Sequence, residues 1–135
     1  MKEITIIVPV YNAEKWIERC MESLLRQTID NYLIYLIDDG STDNSLKKLQ
    51  QYEDKYDNVC VFHKENGGAA SARNYGIRKV QTEYLMFVDI DDYVEKEYVE
   101  LLYQGIIEND AQMCRCSSIW EKKKKSEEEM HRNEV

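Results

Sequence analysis

The sequence predicts an α/β fold built on a mainly parallel sheet, and three observations carry that expectation. Four short apolar runs, "ITIIVPV" (Ile4–Val10), "YLIYLI" (32–37), "VCVFH" (59–63) and "YLMFV" (84–88), are rich in β-branched and aromatic residues. Most are apolar at consecutive positions, as strands covered on both faces are. Helical patterns separate them, and strand–helix alternation needs crossovers that return the chain to a parallel neighbour.

Each element has its own signal. Over residues 13–27, Trp16, Ile17, Cys20, Met21, Leu24 and Leu25 form one apolar stripe, with Asn12 placed as its N-cap. Over 44–56, Leu46, Leu49, Tyr52 and Tyr56 recur at helical spacing, and Ser41, Thr42 or Asp43 can cap them. The helix expected over 70–80 has a small face of Ala72, Gly76 and Val80. A fourth, over 95–108, turns Val99, Leu102, Tyr103 and Ile106 inward. "AQMCRCSSIW" (111–120) reads as a further strand. Beyond Trp120, "EKKKKSEEEMHRNEV" offers almost nothing to a core, so 1–120 is read as one domain and 121–135 as a charged solvated extension, its Glu/Lys pairs suiting a helix.

At 135 residues the length fits a single domain with a real core. With 18 basic against 26 acidic residues the formal charge is −8. That sign excludes nonspecific nucleic-acid binding, which depends on clustered Lys and Arg, and suits a divalent cation. Cys20, Cys60, Cys114 and Cys116 lack zinc-ligand spacing and are expected as reduced thiols. No secretory or membrane-spanning pattern is present, so the expected location is cytoplasmic.

In parallel sheets of this kind, ligands bind outside the carboxyl ends of the strands. The four predicted strands lead into "PVYN", "DDGSTD", "KENGGAASARN" and "DIDD", and each of these carries specialised chemistry. Pro9 and Tyr11 offer a wall and a flat aromatic face. Asp38 and Asp39 precede the glycine of a turn and are free to accept hydrogen bonds from an imide N–H or a sugar hydroxyl. Asn66, Gly67 and Gly68 open a helix whose amides and dipole favour an anion, with Arg73 one turn in. Asp89, Asp91 and Asp92 crowd three carboxylates into four positions. Asp91 or Asp92 can serve as a helix cap, but three such neighbours raise each other's pKa unless positive charge sits among them.

These four stretches, in this order and spacing over residues 4–107, resemble the nucleotide-binding half of family 2 inverting glycosyltransferases. The resemblance implies a GT-A fold, a Rossmann-like three-layer sandwich, here truncated before the acceptor-binding half. It implies metal-dependent transfer of a sugar from a nucleotide-sugar donor, UDP-linked above all, with inversion, to a glycan or lipid-linked acceptor in cell-surface polysaccharide synthesis. By the same resemblance Pro9 and Tyr11 flank the base, Asp39 accepts its imide N–H with Asp38 beside it, and Gly68 and Arg73 serve the nucleotide. "DIDD" matches the Asp-x-Asp signature: Asp89 serves the ribose or an outer contact, while Asp91 and Asp92 reach a Mn2+ or Mg2+ ion bridging the phosphates. The family's general base lies well downstream of that signature, and no residue of this chain is assigned to it. The chain alone is therefore expected to bind its donor without turnover. Peripheral association with the inner membrane face would come from parts outside it. The competing expectations are a noncatalytic nucleotide-binding module and a receiver-type phosphoacceptor. The latter would carry its acids after the first and third strands, whereas here they follow the second and fourth.

Overall fold

A computed structural model describes residues 2–108, 118–122 and 125–131. They form two compact units, 1–96 and 97–135. The first contains β1 (Ile4–Val10), α1 (Ile17–Leu25), β2 (Tyr32–Asp39), α2 (Ser45–Lys55), β3 (Val59–Lys64), α3 (Ala69–Lys79) and β4 (Tyr84–Phe87). Its four strands are all parallel, in the order β3-β2-β1-β4. The central strands β1 and β2 are buried almost throughout. The edge strands are not: β3 is mostly half-buried, and β4 alternates with Leu85 and Phe87 exposed. Coverage of both faces, expected for most of the four runs, thus holds only where a strand has neighbours on both sides.

The chain moves outward from β1 to β2 to β3, then returns across the sheet to β4. With right-handed crossovers, that reversal puts α3 on the face opposite α1 and α2. The order changes direction between β1 and β4, which makes their carboxyl ends a switch point and the expected place for a ligand.

Pro9 tests this architecture, because proline cannot donate within a ladder. Ile7 O accepts from Val88 N at 3.1 Å, so odd positions of β1 face β4. Pairing with β4 stops at Ile7↔Phe87. Pro9 therefore faces past the end of β4, where no strand needs its N–H.

Against the sheet, α3 packs through Ala72 and Gly76, both buried. Tyr35, Phe62 and Tyr75 extend that contact with edge-to-face rings at 5.1 and 6.0 Å. The apolar stripe of α1 is buried as expected at Ile17, Cys20, Met21 and Leu24. That helix starts later than expected and Asn12 does not cap it: Trp16 holds the N-cap position, with no capping hydrogen bond from its side chain. Asn12 sits instead at φ 45° and accepts from the amides of Thr42 and Asp43, at 2.8 and 3.3 Å. Its carboxamide organises the loop after β2, a long-range partner that local capping rules do not see. The amide of Ser45, first residue of α2, is satisfied by Asp43 Oδ1 at 2.9 Å.

The second unit contains α4 (Tyr98–Glu108) with Val99 and Leu102 buried, then β5 (Ser118–Lys122) and β6 (Lys125–His131) paired antiparallel. An N-cap directly precedes its helix, and α4 begins at Tyr98, so neither Asp91 nor Asp92 is its cap. The charged stretch expected to suit a helix is a strand over Lys125–His131. Glu/Lys pairs add only a few tenths of a kcal/mol to a short helix, too little to compete with a neighbouring strand. The first part of the strand expected over 111–120, with Cys114 and Cys116, lies outside the described residues. Cys20 and Cys60 are free thiols. Among the described residues no helix is long and apolar enough to cross a membrane.

Gly76 sets how closely α3 approaches. A Cβ there would lie 2.7 Å from Ile7 Cγ2, a branch atom with little freedom to move. Gly76→Ala gains about 1 kcal/mol of helix propensity but overpacks the core at a cost of about 1–3 kcal/mol. The expected outcome is net destabilisation of about 1 kcal/mol, read as a lower urea midpoint at unchanged slope. A stabilised variant would show that α3 is not held against β1 at this position.

Candidate functional site

Asp38 and Asp39 are the last two residues of β2, not part of the turn after it, and both are buried. Asp38 accepts from His63 Nδ1 at 2.7 Å and from the Ser41 amide at 3.4 Å. Asp39 is more fully engaged. Its Oδ1 accepts from Lys64 Nζ at 2.8 Å and the Gly67 amide at 2.9 Å; its Oδ2 accepts from the Gly68 amide at 2.9 Å and Asn66 Nδ2 at 3.3 Å. Burial by itself raises the Asp39 pKa, but the bonds from Lys64, Gly67 and Gly68 outweigh it and hold the carboxyl below its ordinary range. The amides of Gly67 and Gly68, read from sequence as free for an outside anion, thus already serve an internal one. The loop is pressed close: Gly40, at φ 70°, lies where a Cβ would meet the Asn66 backbone nitrogen at 2.6 Å.

At the neighbouring strand ends, Tyr11 follows β1 and is half exposed, while Pro9 is half-buried. After β4 the chain turns at once, with the Asp92 amide donating to Asp89 O at 2.9 Å and Ile90 buried as an anchor. The turn brings Asp89, Asp91 and Asp92 together, with one carboxylate oxygen of each within 4.8 Å of the others, all exposed.

Two guanidiniums flank these acids. Arg73 Nη2 donates to Asp89 Oδ1 at 3.2 Å, which ties α3 to the acid cluster. Arg19 Nη2 donates to Asp91 O at 3.0 Å, and its charge lies over the rings of Tyr93 and Trp16 at 4.4 and 5.4 Å. Even so, the Asp92 pKa is raised, first by partial desolvation of its carboxyl, although the residue is exposed, and then by Asp91 and Asp89, with Arg19 opposing. The fully buried Cys20 feels the same field from below. Its thiol, 3.8 Å from Asp89 O, is pushed up to about 12 by burial and then by Asp92 and Asp91. Three hard carboxylate oxygens at this spacing form a donor set of the kind that suits Mg2+ or Mn2+.

Sequence reasoning missed Arg19 and His63, gave Asn12 only a capping role, and gave Lys64, which opens "KENGGAASARN", no role of its own. His63 and Lys64 stand at the end of β3, where the strand-end rule that selected Asp38 and Asp39 applies equally. Arg19 gave no signal, being one polar residue on an exposed helix face.

The sequence profile of the family described as "Glycosyl transferase family 2" matches residues 5–134. The glycosyltransferase GlyG of Streptococcus pneumoniae serotype 4 is 45% identical over 109 residues, covering 80% of this chain and 36% of GlyG. This chain belongs to glycosyltransferase family 2. Residues 1–349 of S. aureus TarS, solved in complex with UDP-GlcNAc, superpose with a TM-score of 0.74 at 33% identity, covering 80% of this chain and 32% of that one. GalNAc-T7, solved with UDP, GalNAc and Mn2+, superposes with a TM-score of 0.69 at 26% identity over 78% of this chain and 21% of its own. The fold is therefore that of the GT-A enzymes, as the resemblance implied. The chain spans about a third of the length of GlyG and of the solved TarS fragment.

Because its folded pKa is depressed, Asp39 contributes stability that is fully present above its ordinary value of 3.8 and is lost as pH falls through the lower folded value. Asp39→Asn turns an amide donor toward the Gly67 or Gly68 donors. It is expected to lose about 1–3 kcal/mol at about pH 7 and to close that gap to wild type at about pH 2. Urea unfolding at both pH values measures it; a gap independent of pH would mean that the charge of Asp39 does not hold this loop.

Proposed function

We propose that this chain is the donor-binding part of a glycosyltransferase that takes a uridine diphosphate sugar together with Mn2+ or Mg2+. The observation that carries the reading is that Asp39 ends β2 while Tyr11 and the Asp89–Asp91–Asp92 cluster lie just past the ends of β1 and β4, so that all stand at the carboxyl edge of one parallel sheet, two of them at its switch point. The TarS complex with UDP-GlcNAc and the GalNAc-T7 complex with UDP and Mn2+ support it from related folds.

In this reading Tyr11 and Pro9 enclose the base, and Asp39, with Asp38 beneath it, accepts the imide N–H. Gly68 acts by holding Asp39 in place, since its amide donates to that carboxylate. Arg73, paired with Asp89, sits close to the ribose and diphosphate. Asp91 and Asp92 would hold the cation, which acts as a Lewis acid on the departing diphosphate. Arg19 keeps the backbone of Asp91 in position through its carbonyl bond. Transfer itself, with inversion and to a glycan or lipid-linked acceptor, is proposed for the whole enzyme, with a general base from outside residues 1–135. Such an enzyme would work in the cytoplasm or at the inner membrane face. The whole enzyme is expected to hydrolyse or transfer its donor sugar, and binding without either would mark a noncatalytic module.

UDP and Mn2+ are expected to bind this chain with positive coupling, each raising the other's affinity by the same factor, about 5–150-fold. Asp91→Asn or Asp92→Asn should bring that factor close to one while the fold is kept. Calorimetric titration of UDP with and without Mn2+, on wild type and both variants, measures it. Equal coupling in all three proteins would remove the cation from this cluster.

A further inference from the structure

Lys64 closes β3 directly opposite Asp39, with which it is in register. Its side chain is only 14% exposed, and that of Asp39 4%. The ammonium carries three donors. One goes to Asp39 Oδ1 at 2.8 Å and one to Glu65 O at 2.6 Å. The third has no acceptor among the described residues. Bracing Asp39 explains the first bond only; it does not explain a largely covered lysine side chain with a donor left over beside the exposed Asn66–Gly67–Gly68 loop.

Asp39 itself has little capacity left. A carboxylate offers about four acceptor sites, and here four donors occupy them. The weakest is Asn66 Nδ2 on Oδ2, at 3.3 Å, and Asn66 keeps a shorter bond of 3.0 Å to Asp39 O if that contact is given up. An incoming N–H is therefore accepted at Oδ2 with least loss, while Lys64 remains on Oδ1 of the same carboxylate. An acceptor and a donor then stand side by side.

We propose that Lys64 is a specificity-determining residue, whose third N–H donates to the C4 carbonyl of the base, next to the imide N–H taken by Asp39. This rests on the uridine reading above and deepens it. Uracil presents a donor flanked by acceptors. Cytosine presents a ring acceptor and an amino donor at the corresponding edge, so it meets Asp39 and Lys64 with like against like. A site that pairs such groups rejects the base that leaves them unpaired. Because two bonds already order the Lys64 side chain, little further rotamer freedom is lost when the base arrives.

The test is calorimetric binding of UDP, CDP and 3-N-methyl-UDP, with Mn2+ present, to the 135-residue wild type, Lys64→Met and Lys64→Gln. Wild type is expected to prefer UDP over CDP by at least about 10-fold. Lys64→Met should weaken UDP about 10- to 100-fold. Its CDP affinity should hold or rise, so that the preference collapses. Lys64→Gln, which keeps one donor, should retain part of the preference, and it carries the comparison if the Met variant does not fold. A UDP:CDP ratio unchanged in the variants, or equal weakening of both nucleotides, overturns the role of Lys64 and leaves it a brace for Asp39. Equal binding of UDP and 3-N-methyl-UDP by wild type is a different failure, since it removes the imide from Asp39 and with it the uridine reading.

Discussion

Asp39 is a carboxylate withdrawn from water at the end of a central strand and surrounded by four donors from residues 64–68. Burying a charge is costly, and only direct, charge-assisted bonds offset the loss of hydration. Those bonds tie β2 to a loop 25–29 residues further along the chain. The loop in turn fixes where α3 begins, and so where Arg73, near its start, can reach. Arg73 lands on Asp89, beyond the end of β4. A single ionised group thus couples the loops that follow β2, β3 and β4, and the spacing of the candidate site depends on its staying ionised.

The acid cluster lives under a different constraint. Its three carboxylates face solvent and are flanked by two arginines. Arg19 acts on it through a main-chain carbonyl and through the ring of Tyr93, which leaves the carboxylate oxygens of Asp91 unengaged by that contact. The loop is thereby held with Asp89 alone of its three acids drawn into a salt bridge among the described residues, whereas both oxygens of Asp39 are occupied. The two halves of the site are built for opposite purposes.

Most of the fold was legible because it follows from burial. Consecutive apolar residues located all four strands of the sheet, and the small face read at Ala72 and Gly76 is the one α3 packs on the sheet. What failed was whatever depended on a partner distant in sequence. Asn12 looked like a local cap and proved to hold residues 42 and 43. The strands after residue 37 and residue 63 ran on into charged residues, because Asp38 pairs with His63 and Asp39 with Lys64 across the ladder, and neither partner is visible from its own neighbours. The same limit concealed Arg19, whose contacts are with residues 91 and 93. Conversely, the strand-end rule found both the Asp38–Asp39 pair and the Asp89–Asp91–Asp92 cluster without any pairing information, since chain direction alone places carboxyl ends together in a parallel sheet.

Cys20 gives the acid cluster a chemical shadow. A thiol acts as a nucleophile only as its anion, and at a pKa of about 12 roughly one molecule in 10^5 carries the thiolate at neutral pH. Full burial closes the remaining route to oxidants and alkylating reagents. The sulfur beneath the acidic loop is therefore a poor nucleophile closed off from solvent.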